Sequence, residues 1–191
     1  SVLEAESHWN TAPSGGDNKS ETDDLGFLQL LLQDVSTKYN IDSSKIYAIG
    51  YSNGGSFAQY LTRNNNLISG GACISGYPID EQTDPIISPK NFMIIHGTND
   101  YVVPYYGNEY FMPISKSIDF WKIINDTTQE TQTTNENIET FSYSSNAHDK
   151  EIIHHKVNGG GHDWFFDNLD TTKVTLDFLL NGILPNIIPC L

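Results

Sequence analysis

Positive charge, cysteine and long apolar runs are all scarce in this sequence, and each shortage excludes something. Only 10 Lys and Arg stand against 24 Asp and Glu, for a formal net charge of −14. So acidic a surface repels phosphate backbones and anionic headgroups, which argues against nucleic acid or a membrane surface as partner. No run of residues approaches the length of about 20 apolar positions that a membrane-spanning helix needs. Two cysteines, Cys73 and Cys190, are too few for a disulfide framework, although a bond between them stays open. No Cys/His cluster has zinc spacing, and no residue pattern calls for a metal or an organic cofactor. The opening residues lack the basic-then-apolar pattern of an export signal, so any such signal is expected outside this chain. Nothing in the composition speaks to oligomeric state.

What is present is enough for one domain. A chain of 191 residues with 38% hydrophobic content can bury a sizeable core. The expected domain covers residues 1–182, followed by a tail over 183–191 that carries two prolines. Residues 1–21 are polar and read as loop, with Trp9 as the exception. Thr22 is placed to cap a helix, with Asp23 and Asp24 in its first turn and Leu25, Leu28, Leu32, Val35 and Tyr39 on one buried face. A strand ending at Gly50, a helix bearing Phe57, Tyr60 and Leu61, and a short strand from Gly71 to Ser75 follow. Beyond a proline-punctuated loop, Phe92 to His96 is a continuous apolar run of the kind found in central parallel strands. Ser115 is expected to cap a helix carrying Ile118, Trp121 and Ile124, and 126–137 to be a solvated loop. Ile138 to Tyr143 and Glu151 to Val157 read as two strands, and Thr171 to Asn181 as a last amphipathic helix stopped by Gly182. Helices alternating with strands in this way imply a mostly parallel α/β sheet with crossover helices.

The most informative stretch is Gly50-Tyr51-Ser52-Asn53-Gly54, because it lies between a strand and a helix. On such a turn a serine is held in a strained conformation with its hydroxyl raised above the sheet, and the flanking glycines are expected to avoid collisions. Ser52 is therefore the candidate nucleophile, and the Asn53 N–H, at the helix N-terminus, the candidate oxyanion donor. A plain glycine turn would account for the same five residues. Two other strand ends argue against that. Asp100 follows the Phe92–His96 run, and His162 follows a glycine-rich loop after the last strand. In open α/β sheets functional groups gather beyond the strands' carboxyl ends, and the chain order Ser, Asp, His suits a nucleophile, acid and base on this architecture. Among the other histidines, His154 and His155 lie within a strand, where at most one is expected to face inward. His96-Gly97 is expected to be a turn.

Four blocks carry a family resemblance. Asp23-Asp24-Leu25-Gly26-Phe27, Gly50-Tyr51-Ser52-Asn53-Gly54-Gly55, His96-Gly97-Thr98-Asn99-Asp100 with Val103-Pro104-Tyr105, and Gly159-Gly160-Gly161-His162-Asp163-Trp164 resemble the polyhydroxybutyrate depolymerase and feruloyl/acetylxylan esterase family. The likeness runs from about Trp9 to Gly182. It implies an α/β-hydrolase fold, secretion or a periplasmic location, and a serine esterase acting on polymer or oligomer esters. It also implies Ser52, Asp100 and His162 as the triad, and Trp164 beside the substrate cleft. Tyr51, Tyr101 and Val103 join Trp164 as candidate substrate contacts because they flank the triad in sequence. The family's first strands, with the turn that supplies a second oxyanion N–H, have no counterpart before Trp9. Phe165-Phe166 stands where the family continues with Pro and Gly. Two alternatives remain beside the esterase: a prolyl-oligopeptidase-like serine peptidase, and a non-catalytic module of the same fold that binds a polymer.

Overall fold

Phe92, Met93, Ile94 and Ile95 are at most 1% exposed, because this apolar run is the middle of a sheet covered on both faces. The computed structural model describes residues 8–11, 22–79 and 88–181. In chain order the elements are α1 (Asp24–Lys38), β1 (Tyr47–Tyr51), α2 (Asn53–Asn64), β2 (Gly70–Ile74), β3 (Asn91–Gly97) and α3 (Ser115–Ile124), then β4 (Gln129–Asn135), β5 (Ile138–Ser144), β6 (Glu151–Val157) and α4 (Thr171–Asn181). The six strands form one sheet in the order β1-β2-β3-β6-β5-β4. The pairings β1–β2, β2–β3 and β3–β6 are parallel, whereas β6–β5 and β5–β4 are antiparallel. The carboxyl ends of β1, β3 and β6 therefore point the same way, and the loops leaving them share one edge.

Side-chain alternation divides the core. Ala72, Ile74, Met93, Ile95 and Ile153 meet Phe178 and Leu179 of α4 on one face. Cys73, Phe92, Ile94 and Ile152 meet Ile118 and Trp121 of α3 on the other, with the Phe92 and Trp121 rings stacked at 4.2 Å. A third cluster joins Ala48 to Phe57, Ala58 and Leu61 of α2, with Leu25, Leu28 and Leu32 of α1 laid against it. Lys90 ties this side together by donating through Nζ to the Thr62 and Asn65 carbonyls at the end of α2. Burial lowers its pKa to about 8.

Several expectations need correction. Residues 129–135 form the edge strand β4 rather than a loop. Every β4 residue is exposed, so its sequence carries no apolar alternation to announce it. Asp23, not Thr22, is the N-cap of α1: its carboxylate accepts the Gly26 N–H. Ile114 precedes α3 as N-cap and Ser115 is the first helical residue, with no side-chain cap. No residue of α1 is fully buried, and Tyr39, expected on its inner face, is 67% exposed. Both His154 and His155 are buried, because β6 is covered on both faces. Cys73 is a free, buried thiol. Gly182, the tail and Cys190 lie outside the described residues.

Candidate active site

Ser52 occupies the single residue between β1 and α2, with φ 55° and ψ −126°. Left-handed backbone at a non-glycine residue is strained, and it persists only when the surroundings fix it. Here they do: the Ser52 N–H donates to the Ile74 carbonyl at the end of β2, and the Ser52 carbonyl accepts from Ser56 N–H. One flanking glycine is required by space. A Cβ on Gly50 would lie 2.0 Å from the Gly54 carbonyl oxygen. Gly54 itself has nothing within 4 Å of the corresponding position, so the expectation that both flanking glycines avoid a collision holds for Gly50 alone.

The three strand ends meet. His162 Nε2 lies 2.9 Å from Ser52 Oγ, and His162 Nδ1 lies 2.7 Å from Asp100 Oδ2. A carboxylate can only accept, so Nδ1 carries the proton and Nε2 turns its lone pair toward the serine hydroxyl. Asp100 is fully buried at its side chain. Burial pushes its pKa up, but hydrogen bonds from His96, His162 and the Val103 N–H outweigh this and hold the carboxyl at about 2. It is an anion at neutral pH. Chemically the line can move the serine proton onto the imidazole while the carboxylate steadies the positive charge that results.

The loop carrying His162 is fastened to three strands. Tyr51 Oη, at the end of β1, donates to the His162 carbonyl at 2.9 Å, and its ring centroid lies 5.1 Å from the imidazole. Ser75, just past β2, donates through Oγ to the Asp163 carbonyl at 2.9 Å. After β3, Asn99 N–H donates to the Gly160 carbonyl and Thr98 Oγ1 accepts from Gly159 N–H. The backbones approach so closely that a Cβ on Gly97 would lie 2.2 Å from the Gly160 oxygen.

Asn53 follows the serine. Its side chain pairs with the Trp9 backbone, accepting from Trp9 N–H at 2.7 Å and donating to the Trp9 carbonyl at 3.0 Å. The same amide nitrogen lies 3.2 Å from Tyr77 Oη. Trp9 stacks flat on Phe57 at 4.7 Å, so residues 8–11 are docked across the start of α2. The side chain of Asn53 is thus engaged, and its backbone N–H belongs to the first turn, where no intrahelical acceptor exists.

The four candidate substrate contacts separate. Tyr101 is 90% exposed beside Asp100. Tyr51 packs on His162, as described. Val103 is only 3% exposed, so its side chain is core; its N–H serves the site by donating to Asp100 Oδ1 at 2.8 Å. Trp164 is turned toward α4, where its indole N–H donates to Thr172 Oγ1 at 3.0 Å. Sequence reasoning missed His96, which is no turn residue but a buried member of β3 with Nε2 3.1 Å from Asp100 Oδ2. The four-residue step from His96 to Asp100 was the available signal. Ser75, with φ 49°, was missed too, and nothing in its sequence context marks it.

No family model matches the chain, and a search of curated proteins finds no match either. Solved structures do resemble it. Esterase PE8 shares 21% identity at a TM-score of 0.54, over 81% of this chain and 60% of that one. The Bacillus cereus carboxylesterase shares 19% at 0.55, over 84% and 63%. A variant of Arabidopsis thaliana SOBER1 shares 14% at 0.54, over 82% and 62%. The chain has the α/β-hydrolase fold. It spans about three fifths of the length of these structures, and at such identities the likeness concerns the fold.

Proposed function

We propose that this chain is a serine esterase that cleaves carboxylic esters through an acyl-enzyme, with Ser52 as nucleophile, His162 as base and Asp100 as the acid that orients it. The observation that carries the reading is the unbroken line from Ser52 Oγ through both His162 nitrogens to an ionised Asp100. His162 takes the Ser52 proton as Oγ attacks the ester carbonyl, and the oxyanion forms against the Asn53 N–H. The imidazolium then protonates the departing alcohol. Water repeats the sequence on the acyl-serine, with His162 again the base.

The surroundings suit an ester with an aryl or apolar group. Tyr77, held to Asn53, lies 5.8 Å from Phe111, which lines an open groove of about 450 Å³ with Tyr106, Tyr110 and Met112. Phe165, three residues after His162, is 83% exposed. Hydroxyalkanoate, feruloyl and acetyl polysaccharide esters are the substrates this reading favours. A panel of those three beside a p-nitrophenyl ester and a prolyl anilide tests it. Turnover of an ester that disappears in Ser52→Ala supports the proposal, and turnover of the anilide alone favours the peptidase. A folded protein that binds a polyester or polysaccharide but turns over no ester favours the binding module.

A further inference from the structure

His96 is a fully buried imidazole in β3, following Ile94 and Ile95, in a place that an apolar side chain would fill without leaving a ring nitrogen unpaired. Its Nδ1 is indeed without a hydrogen-bond partner among the described residues. Nε2 is engaged twice. It lies 2.8 Å from the Val103 carbonyl oxygen and 3.1 Å from Asp100 Oδ2. A carbonyl only accepts, so Nε2 carries a proton and shares it between the two oxygens.

Oδ2 is the same oxygen that receives His162 Nδ1–H at 2.7 Å. Oδ1 receives the backbone N–H groups of Val102 at 2.9 Å and Val103 at 2.8 Å. The carboxylate is thus gripped by two imidazoles on one oxygen and two amides on the other. The two amides restrain Oδ1 through soft contacts, and the broad χ2 well of an aspartate still leaves Oδ2 freedom to swing. The His96 proton removes that freedom, because it meets Oδ2 from the sheet side while His162 meets it from the loop.

We propose that His96 is a positioning residue of the relay, whose Nε2–H locks the plane of Asp100 so that Oδ2 faces His162 Nδ1. The proposal rests on the reading of Ser52, His162 and Asp100 as a triad, and it makes the His-Gly-x-x-Asp spacing part of the proton relay. A merely structural role, tying the Asp100–Val103 turn to β3, would need the Val103 carbonyl contact alone.

Three measurements on the chain test this. Proton NMR of the intact protein reads the low-field resonance of His162 Nδ1–H, assigned by histidine ¹⁵N labelling and by its loss in Asp100→Asn. His96→Met, which keeps the volume and removes the donor, is expected to shift or broaden that resonance. The same variant should lower kcat about ten- to a hundredfold at unchanged KM, as a small misplacement of a reacting group does. His96→Gln, whose amide can return a donor toward Asp100, should keep the resonance and recover most of kcat. An unmoved resonance with full kcat in folded His96→Met overturns the proposal. So does a His96→Gln variant that folds yet behaves no better than His96→Met. Should His96→Met fail to fold, ¹⁵N shifts of wild-type His96 decide: the Nε2–H tautomer supports the proposal, and Nδ1–H overturns it. The resonance is read without turnover. A protein that cleaves no ester, while His96 still governs the His162 signal, would fail the esterase reading and leave the coupling standing.

Discussion

The two halves of the sheet are built on different terms. In the parallel half, β2, β3 and β6 are packed on both faces, and the loops from the carboxyl ends of β1, β3 and β6 deliver Ser52, Asp100 and His162 to one point. In the antiparallel half, β5 is partly buried and β4 wholly exposed, and neither contributes a residue to that point. Parallel strands all present their carboxyl ends on one edge, so three segments distant in sequence can converge there; a hairpin returns half its ends to the other side. The hairpin's service is to close the edge of β6 and supply its cross-strand partners. Phe141 stacks on His154 at 5.5 Å, and Thr140 lies 2.8 Å from His155 Nδ1.

If that division is right, substitutions should sort by half. Ser52→Ala should give the largest loss, about a millionfold in kcat, as removal of the nucleophile does in a triad enzyme; steady-state kinetics on a p-nitrophenyl ester measures it. Asp100→Asn should cost about ten-thousandfold, because the amide can donate to His162 Nδ1 and favour the wrong tautomer. The seam between the halves should show in acid. Burial, and for His154 also the neighbouring charges of His155, His96 and Lys156, hold the ring pKa values at about 3 for His154 and about 4 for His155. Both lie below the ordinary histidine value, so as pH falls the unfolded chain takes up protons first. Stability should be complete above about pH 6.5 and decline from there toward about pH 4 for His155 and about pH 3 for His154, losing about 2 kcal/mol per ring by pH 5. Urea unfolding at pH 8, 6 and 5 checks this, and His155→Gln should flatten the decline.

Gly50→Ala probes the close packing behind the serine turn. Its Cβ would lie 2.0 Å from the Gly54 oxygen and must push α2 away, costing on the order of 3 kcal/mol in denaturant midpoint experiments. Gly54→Ala, with open space around it, should be neutral or slightly stabilising. The smallest effect belongs to β4. Thr131→Ala or Thr133→Ala should change stability by less than about 0.5 kcal/mol and leave kcat unaltered. A large loss of activity from either would break the comparison outright.

The same division marks how much the sequence disclosed. Strands buried on both faces are written as apolar runs, so β3 and the Ile-rich start of β6 were visible, and with them the loops that bear Asp100 and His162. The serine turn was visible because its backbone strain demands particular neighbours. β4 was not, because Gln129 to Asn135 lies in solvent on both sides and leaves no hydrophobic trace. Tyr51 was picked as a substrate contact from its place beside Ser52; its hydrogen bond to the His162 carbonyl spans 111 positions and has no local sign. The paired burial of His154 and His155 escaped for a related reason. Alternation predicts that one strand face is wet, and that rule fails where helices cover both.

A single labelling experiment bears most directly on the central claim. A fluorophosphonate reacts covalently with a serine whose hydroxyl is activated by a poised imidazole. The folded protein should take up one equivalent, mapped by peptide mass spectrometry to Ser52, with uptake abolished in Ser52→Ala and slowed severely in His162→Gln. Folded protein that stays unlabelled, or labelling that survives Ser52→Ala, would contradict it.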